Sequence, residues 1–510
     1  MALLGNIIKR SLKIQEQFRL KNSTPRNYQL QQLNRLLKEA NQTAFGQHFQ
    51  FKKLLKNDDL YENFKKNIPV FNYTSMYENW WHRCHQGEID VAWPGKVKYF
   101  ALSSGTSESA SKHIPVTDDM VKSIKKTGFK QFCSLNRFNL PSGTFDKGVL
   151  MLGGTTKLND NGDFYEGDMS GISAKEMPKW LSYFFYKPGI GISKRTKWED
   201  RIKLIVRKSK SWDVAIVCGV PAWVQIVFEE IIKYHNVNNI HEIWPNLTLY
   251  IHGGVAFDPY RETFKKILGK PITYIETYMA SEGSFGFQSR PGEKGISLVL
   301  NNKIFYEFIP FNETNFDEDG ELKSNPEAYM IHEVVEDKDY AIILSTCSGA
   351  WRYLIGDVVR FTSVKHAEII ISGRTKQFLS LCGEHLSVDN MNKAIELVQK
   401  KLHIEIKEYT VAGYSKDNYF AHKWYLGCDN LTIDNGIVLK EIDAILCEIN
   451  DDYAVERTSA LKYLDIEIIP SSQFIDFLHH TGKYGAMNKF PRVLKNKQLA
   501  QWQDFIGEKV

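Results

Sequence analysis

This chain of 510 residues has little of what marks several protein classes. Its seven cysteines sit at irregular spacing, which supplies no disulfide framework and fits a reducing compartment. No window approaches the roughly 20 apolar residues that a membrane-spanning helix needs. The opening MALLGNIIKRSLKIQEQFRL has no continuous apolar core followed by a small-residue cleavage site. Lys9, Arg10 and Lys13 break it into an amphipathic pattern, so it reads as a helix packed on its own domain, with an amphipathic membrane anchor as the alternative, and not as a signal peptide. Formal net charge is only +5 and dispersed, which speaks against a nucleic-acid partner. Repeats and low-complexity tracts are missing as well. The expectation is a cytoplasmic protein without membrane or nucleic-acid partners, acting as a monomer or weak dimer.

What is present is an ordinary globular composition, 43% hydrophobic and 25% charged, on a length that calls for more than one domain. Helical periodicity dominates residues 1 to about 65. Short apolar runs then alternate with helix-length segments: VKYFALS, KGVLMLGG, DVAIVCG, LTLYIHGG, PITYIETYMA. That rhythm predicts an α/β fold with a mostly parallel sheet covered on both faces. From about 298 the runs SLVLNNKIFYEFIPF, YAIILST, WRYLIGDVVRF and AEIIISGRT predict hairpin-linked strands, a β-rich part of mixed sheets. Beyond a boundary near 376–384, a helix over 389–401, strands IKEYTVAGY and YFAHKWYLGC, a helix near 438–450, a strand LDIEIIP and a helix near SQFIDFLHH predict a compact α+β unit.

Three stretches concentrate polar chemistry. In YFALSSGTSESASKHIPVT (99–117), hydroxylic residues crowd around Gly105 and run on to Lys112. Glycine lets backbone approach an anion closely, and Ser103, Ser104, Thr106 and neighbouring N–H groups can donate to phosphate oxygens, with Lys112 adding positive charge. The plain alternative is a flexible surface turn. The stretch is not the G-x-x-x-x-G-K-[ST] loop, since no second glycine precedes Lys112 and neither Ser nor Thr follows it. In YIETYMASEGSFGF (274–287) an apolar strand runs into Tyr278 and then Ser281-Glu282-Gly283. At a strand end an aromatic ring can cover an adenine, a hydroxyl can touch phosphate and a carboxylate can hold Mg²⁺; the alternative is a capped turn over a buried tyrosine. In WRYLIGDVVRF, Asp357 follows Gly356 after a strand, where a carboxylate can accept both ribose hydroxyls or simply close a tight turn.

Taken in order, Ser103-Ser104-Gly105-Thr106-Ser107, Tyr278-x-x-Ser281-Glu282-Gly283 and Arg352-Tyr353-x-x-Gly356-Asp357 resemble the motifs of an adenylate-forming enzyme of the firefly luciferase-like superfamily. GRTKQFLSLCGEHLS (373–387) resembles its Gly-Arg hinge segment. FYEFIP (305–310), RYLIGDVV, NDDYAVERTSALKYLDIEIIPSSQF and NKFPR (488–492) resemble one branch more closely, the Gretchen Hagen acyl acid–amido synthetases, or auxin-responsive promoter family. The resemblance covers nearly the whole chain. It implies a large N-terminal α/β adenylate-forming domain, 1–380, and a small mobile α+β lid domain, 381–510. It implies ATP and Mg²⁺ as cofactors, with a small-molecule carboxylic acid and an amino acid as partners. The acid is adenylated with release of pyrophosphate, and the amino acid amine then takes the acyl group as an amide.

By the same resemblance Ser103, Ser104, Gly105 and Thr106 line the phosphates, Tyr278 and Ser281 sit by the nucleotide, and Glu282 is the catalytic carboxylate on the Mg²⁺ or phosphate side. Asp357 binds ribose, Arg374 faces the nucleotide near the hinge, and Lys489 matches the C-terminal lysine that reaches the α-phosphate and acyl oxygen. Two departures stand out. Glu108 occupies the phosphate loop where many adenylate formers carry a further glycine. His385 stands where plant relatives commonly have a lysine, so a fixed charge becomes an imidazole that can still hydrogen-bond phosphate.

The acyl pocket is harder to read. Val220 and Trp223 in VCGVPAWV and Val255 in IHGGVAF match wall positions of the family, although all three also suit a core. An apolar pocket with one cationic or polar anchor would take an aromatic or medium-chain acid. WWHRCHQ is read as no metal site: in a strand His82 and Cys84 share a face while His85 points away, and no matching Cys/His cluster occurs elsewhere. His479 and His480 fit a helix end, near its terminal carbonyls. Two rivals remain: transfer of the same adenylate to a thiol such as coenzyme A or a carrier protein, and a nucleotide-binding sensor without chemistry.

Overall fold

The computed structural model describes residues 24–103, 112–257, 260–317, 320–375, 379, 381, 384, 386–416, 419–429, 434–458, 461–482 and 490–507. The predicted parallel and antiparallel parts are two halves of a single eleven-stranded sheet. Tyr186–Lys187, Gly148–Met151, Val214–Gly219, Leu249–Gly253 and Thr273–Ala280 lie side by side and parallel. From Thr273–Ala280 the sheet turns antiparallel through Gly283–Phe287, Ile296–Leu298, Glu368–Arg374, Tyr353–Ser363, Asp339–Thr346 and Ile304–Pro310.

Alternation explains how the parallel half is buried on both faces. Val217 and Tyr250 pack on one side with Trp223, Phe228 and Trp244. Their neighbours Ile216 and Leu249, with Ile275, pack on the other with Leu135 and Phe145. The antiparallel half is covered by helices from the start of the described chain. Pro25–Ala40 begins with Thr24 capping Asn27 N–H and proline in the first turn, and buries Leu33, Leu36, Leu37 and Ala40. That spacing of three and four makes one apolar stripe, and each buried leucine is worth roughly 1.5–3 kcal/mol. The stripe joins the same core as Phe305 and Phe308 of Ile304–Pro310.

Beside this sheet lies a smaller one of four strands, in the order Lys112–Val116, Tyr99–Ser103, Tyr165–Gly167 and Asn159–Asp160. The C-terminal unit follows the predicted elements closely. Its four-stranded sheet runs Leu461–Ile469, Tyr419–Gly427, Glu408–Lys416, Val493–Leu494. Val388–Leu402 and Asn435–Ile449 cover one face around Val411 and Trp424, while Ser472–His480 and Asn496–Ile506 cover the other around Tyr425. Leu379 and Leu386 already belong to this C-terminal core.

Two local expectations are corrected. WWHRCHQ is helical, Tyr77–Trp81 running into His82–His85, because the alternation that suggested a strand is short and Trp80, Trp81 and Cys84 need one buried helical face. Gly356 and Asp357 do not follow a strand but lie within Tyr353–Ser363, where Gly356 takes a φ of 90° inside the ladder. Among the described residues no helix is long and apolar enough to cross a membrane.

Candidate functional site

The carboxyl ends of the parallel strands open onto one cleft of about 2280 Å³. Single-ligand pockets usually hold roughly 300–1000 Å³, so there is room for more than one substrate. Met151–Thr155, Cys218–Val220, Ile251–Ala256 and Glu276–Glu282 line it from successive strand ends, where ligands gather in open α/β sheets. Close strand contact there depends on Gly253, since a Cβ at this position would meet the Thr277 carbonyl oxygen at 2.3 Å. Leu354–Asp357 and Gly373–Thr375 enter from the antiparallel half, and Phe490–Arg492 from the C-terminal unit.

Four of the expected residues form one network. The Tyr278 hydroxyl donates to Asp357 Oδ2 at 2.6 Å, and Arg374 Nε pairs with Oδ1 at 2.9 Å. Each Asp357 oxygen keeps a further lone pair, enough to accept from two vicinal hydroxyls. Glu282 is buried, and that burial pushes its carboxyl up to about 7; the Asp357 charge adds to the rise, while Lys112 and Arg374 pull it back. Buried Tyr353 holds its hydroxyl against Glu282, and burial lifts that phenol well above its ordinary value. The ionised form of Glu282 is thus under-compensated by protein cations. A divalent cation fits here, whereas Asp357 already has both a hydroxyl and a guanidinium.

Ser281 lines the same wall, and so do Val220 and Val255. Trp223 is corrected: it packs edge-on to Trp198 at 5.0 Å, buried in the core behind the Trp198 ring that faces the cleft. Ser103 ends its strand opposite Lys112, whose ammonium stands 5.3 Å from the Tyr73 ring centre. Ser104, Gly105, Thr106, Glu108, His385 and Lys489 lie outside the described residues.

Sequence reasoning missed Arg201. It sits on the helix Trp198–Lys208, is 6% exposed and lines the cleft. Nη1 donates to the Gly153 carbonyl at 2.8 Å and the guanidinium lies 4.6 Å from the Trp198 ring centre, but Nε is buried without a partner. Burial lowers its pKa, Tyr186 and Asp168 pull it back up, and no carboxylate among the described residues lies within ion-pair distance. The signal was in the helix pattern: Trp198, Arg201, Ile202 and Ile205 share one buried stripe, and an arginine there is out of place. Nearby His252 is also buried with Nδ1 unpartnered, and burial brings its pKa down to about 3, so its ring is neutral.

Polar contacts join the two units at the rim. Thr263 and Lys266 both hold Glu405, the lysine at 2.5 Å. Arg492 pairs with Glu408 and donates to the Tyr409 carbonyl at 2.8 Å, beside buried Tyr260.

Comparison with known proteins bears on this arrangement. Residues 14–208 match the GH3 family N-terminal domain and residues 297–371 the GH3 family central domain. Jasmonoyl-L-amino acid synthetase JAR4 of Nicotiana attenuata is 23% identical across 96% of this chain and 94% of its own length. Probable indole-3-acetic acid-amido synthetase GH3.12 of Oryza sativa subsp. japonica is 24% identical over 50% of this chain and 47% of its own. Among solved structures, GH3.15 acyl acid amido synthetase superposes with a TM-score of 0.75 at 17% identity, over 97% of this chain and 96% of that one. A 2-hydroxyisobutyryl-CoA ligase in the postadenylation state reaches a TM-score of 0.58 at 11% identity, over 94% and 91%.

Proposed function

We propose, from the premise that this chain belongs to the GH3 family, that it is an ATP-dependent acyl acid–amido synthetase. In the first step a carboxylate oxygen of the acid attacks the α-phosphorus of ATP, forming acyl-AMP as the bond to pyrophosphate breaks. In the second an amino acid amine attacks the acyl carbon, the bond to AMP breaks and the nitrogen gives up a proton. The observation that carries the reading is the convergence of Asp357, Tyr278, Arg374 and Glu282 at the carboxyl ends of a parallel sheet, in one cleft with a buried arginine that no carboxylate among the described residues meets at ion-pair distance. The names of the amido synthetase relatives support an amine acceptor over a thiol.

Asp357 is assigned to the ribose hydroxyls and Tyr278 to the wall beside the base. Glu282 is assigned to Mg²⁺, which when bound neutralises phosphate charge. Arg374 adds a fixed cation beside the nucleotide. The stretch after Ser103 and Lys489 keep the roles their motifs imply, and residues 381–510 act as the closing lid. Arg201, stacked on Trp198 and set among Ile205 and Val220, is assigned as the cationic anchor for the acid's carboxylate, with aromatic or medium-chain acids as the class. The reaction belongs in the cytoplasm, in keeping with described cysteines that are all free.

The test is acid-dependent pyrophosphate release from ATP and Mg²⁺ over a panel of carboxylic acids, with and without pooled amino acids, products read by mass spectrometry. Release with an amide mass is expected. Release with no amide moves the assignment to a thiol acceptor. ATP binding without release for any acid leaves the sensor reading and removes the ligase.

A further inference from the structure

The small four-stranded sheet carries a second cluster, independent of the ligase reading. His113 stands opposite Leu102, and Glu166 stands opposite Phe100. Cross-strand partners share a face and so do residues two apart, so the register sets His113 and Glu166 on the same face, on either side of the Tyr99–Ser103 strand. The helical turn His82–His85 lies over that face, with the His85 ring 4.8 Å from Phe100 and 4.5 Å from His113. Both Nε2 atoms stand 3.1 Å from one oxygen, Glu166 Oε1. The three potential ligand atoms lie within 4.8 Å of one another.

We propose that His85 Nε2, His113 Nε2 and a Glu166 carboxylate oxygen bind one divalent transition metal, with zinc as the fitting ion and water in the fourth position. Tetrahedral zinc with ligands near 2.0–2.1 Å places neighbouring ligand atoms about 3.3 Å apart, close to both observed nitrogen–oxygen distances. Small rotations of the two rings bring the nitrogens onto the same ion. Two imidazoles and a carboxylate suit zinc in ligand type and number. Second hydrogen bonds already orient two of the ligands: Tyr77 Oη lies 2.8 Å from His85 Nδ1, and Asn161 Nδ2 donates to Glu166 Oε2 at 2.8 Å. With zinc bound, the His85 proton resides on Nδ1 and is donated to Tyr77, so the same contact serves both states. Phe100 and Phe164 wall the site, and all three ligands are only partly covered, leaving an approach from solvent.

This also revises the reading of WWHRCHQ. Cys84 turns into the core, where burial pushes its thiol up to about 11, and His82 Nδ1 lies 3.1 Å from the Tyr77 carbonyl, so neither belongs to the site. His85 alone leaves that stretch, and its partners lie 28 and 81 residues downstream, His113 and Glu166. His113 directly follows the cleft-lining Lys112, so a metal here would fasten the paired strands Tyr99–Ser103 and Lys112–Val116 beside the cleft.

The test uses the full-length protein, stripped with EDTA and titrated with zinc chloride against a chromophoric chelator, with bound metal counted after gel filtration. One zinc per chain is expected, together with a raised melting temperature. H85Q and H113Q, checked for fold by circular dichroism, each weaken zinc at least about 100-fold, Y77F about 10-fold, and H82A leaves it unchanged. Cobalt substitution gives the intense visible bands of a four-coordinate site in the wild type and loses them in H113Q. Substoichiometric zinc in the wild type, or equal binding by folded H85Q and H113Q, overturns the proposal and leaves the three residues as a hydrogen-bonded clamp.

Discussion

Two arginines buried to nearly the same degree flank the large sheet, Arg201 on the helix Trp198–Lys208 and Arg352 just before the strand Tyr353–Ser363, and the protein treats them differently. Arg352, 4% exposed, is saturated: its Nε reaches both Glu307 oxygens at 3.1 Å, and Nη1 donates to the carbonyls of Lys65 at 2.9 Å and Ile68 at 2.7 Å. Arg201, 6% exposed, has one carbonyl, one aromatic ring and an unpartnered Nε. Burying a charge is costly unless it is paired and hydrogen-bonded. The first arginine therefore locks helix and strand together, and the second, on the proposed assignment, holds its charge for the acid's carboxylate. Local motif wording points at Arg352, whereas chemistry points at Arg201.

The contrast can be broken by mutation, starting from the largest effect. R352M leaves Glu307 as a buried unpaired charge and lowers unfolding free energy by about 3–5 kcal/mol, measured by urea denaturation. Replacing both partners by apolar residues recovers much of that loss, whereas no second substitution is needed to rescue R201M. The next effect belongs to Glu282. Because the folded carboxyl titrates near 7 and the unfolded one near 4.5, the unfolded chain sheds its proton first as pH rises, and stability falls between those values. E282Q has no such fall, so calorimetry at pH 8 finds it more stable than the wild type by up to about 3 kcal/mol, with little difference at pH 4.5, while adenylation is lost. R201M changes stability by less than about 1 kcal/mol but raises KM for the acid at least tenfold, about 1.4 kcal/mol, with KM for ATP unmoved. Equal losses in stability from R201M and R352M would erase the distinction. The smallest change in substrate binding belongs to Y278F, which removes one hydroxyl–carboxylate bond and about 1–3 kcal/mol of stability but raises KM for ATP only modestly.

Much of this was legible in the sequence, for reasons that also mark where legibility stopped. Short apolar runs specified the strands, and the C-terminal elements fall within a few residues of their expected bounds because their stripes are strong and their turns polar. Asp357, Tyr278, Glu282 and Arg374 could be picked because their motifs have wording. Their mutual contacts could not, since Tyr278 and Asp357 are 79 positions apart and meet only through sheet pairing. Gly356 deceived because a glycine followed by aspartate reads as a turn, yet here it supplies a left-handed residue within a ladder. Trp223 deceived because a wall residue and the residue behind a wall have the same composition. His85, His113 and Glu166 were invisible together, since no spacing rule spans two separate strands and a helical turn.

The parallel half of the sheet and the antiparallel half meet along Thr273–Ala280 but bury their side chains in cores with no residue in common. Substitutions around Trp198, Trp223 and Val227 repack one core, and those around Phe285, Tyr306 and Phe361 repack the other. Well-separated changes contribute nearly additive free energies. On the proposed assignment of Arg201 to the acid and Asp357 to the nucleotide, such a chain can vary its choice of acid through many generations with little epistatic penalty on how firmly it grips the nucleotide.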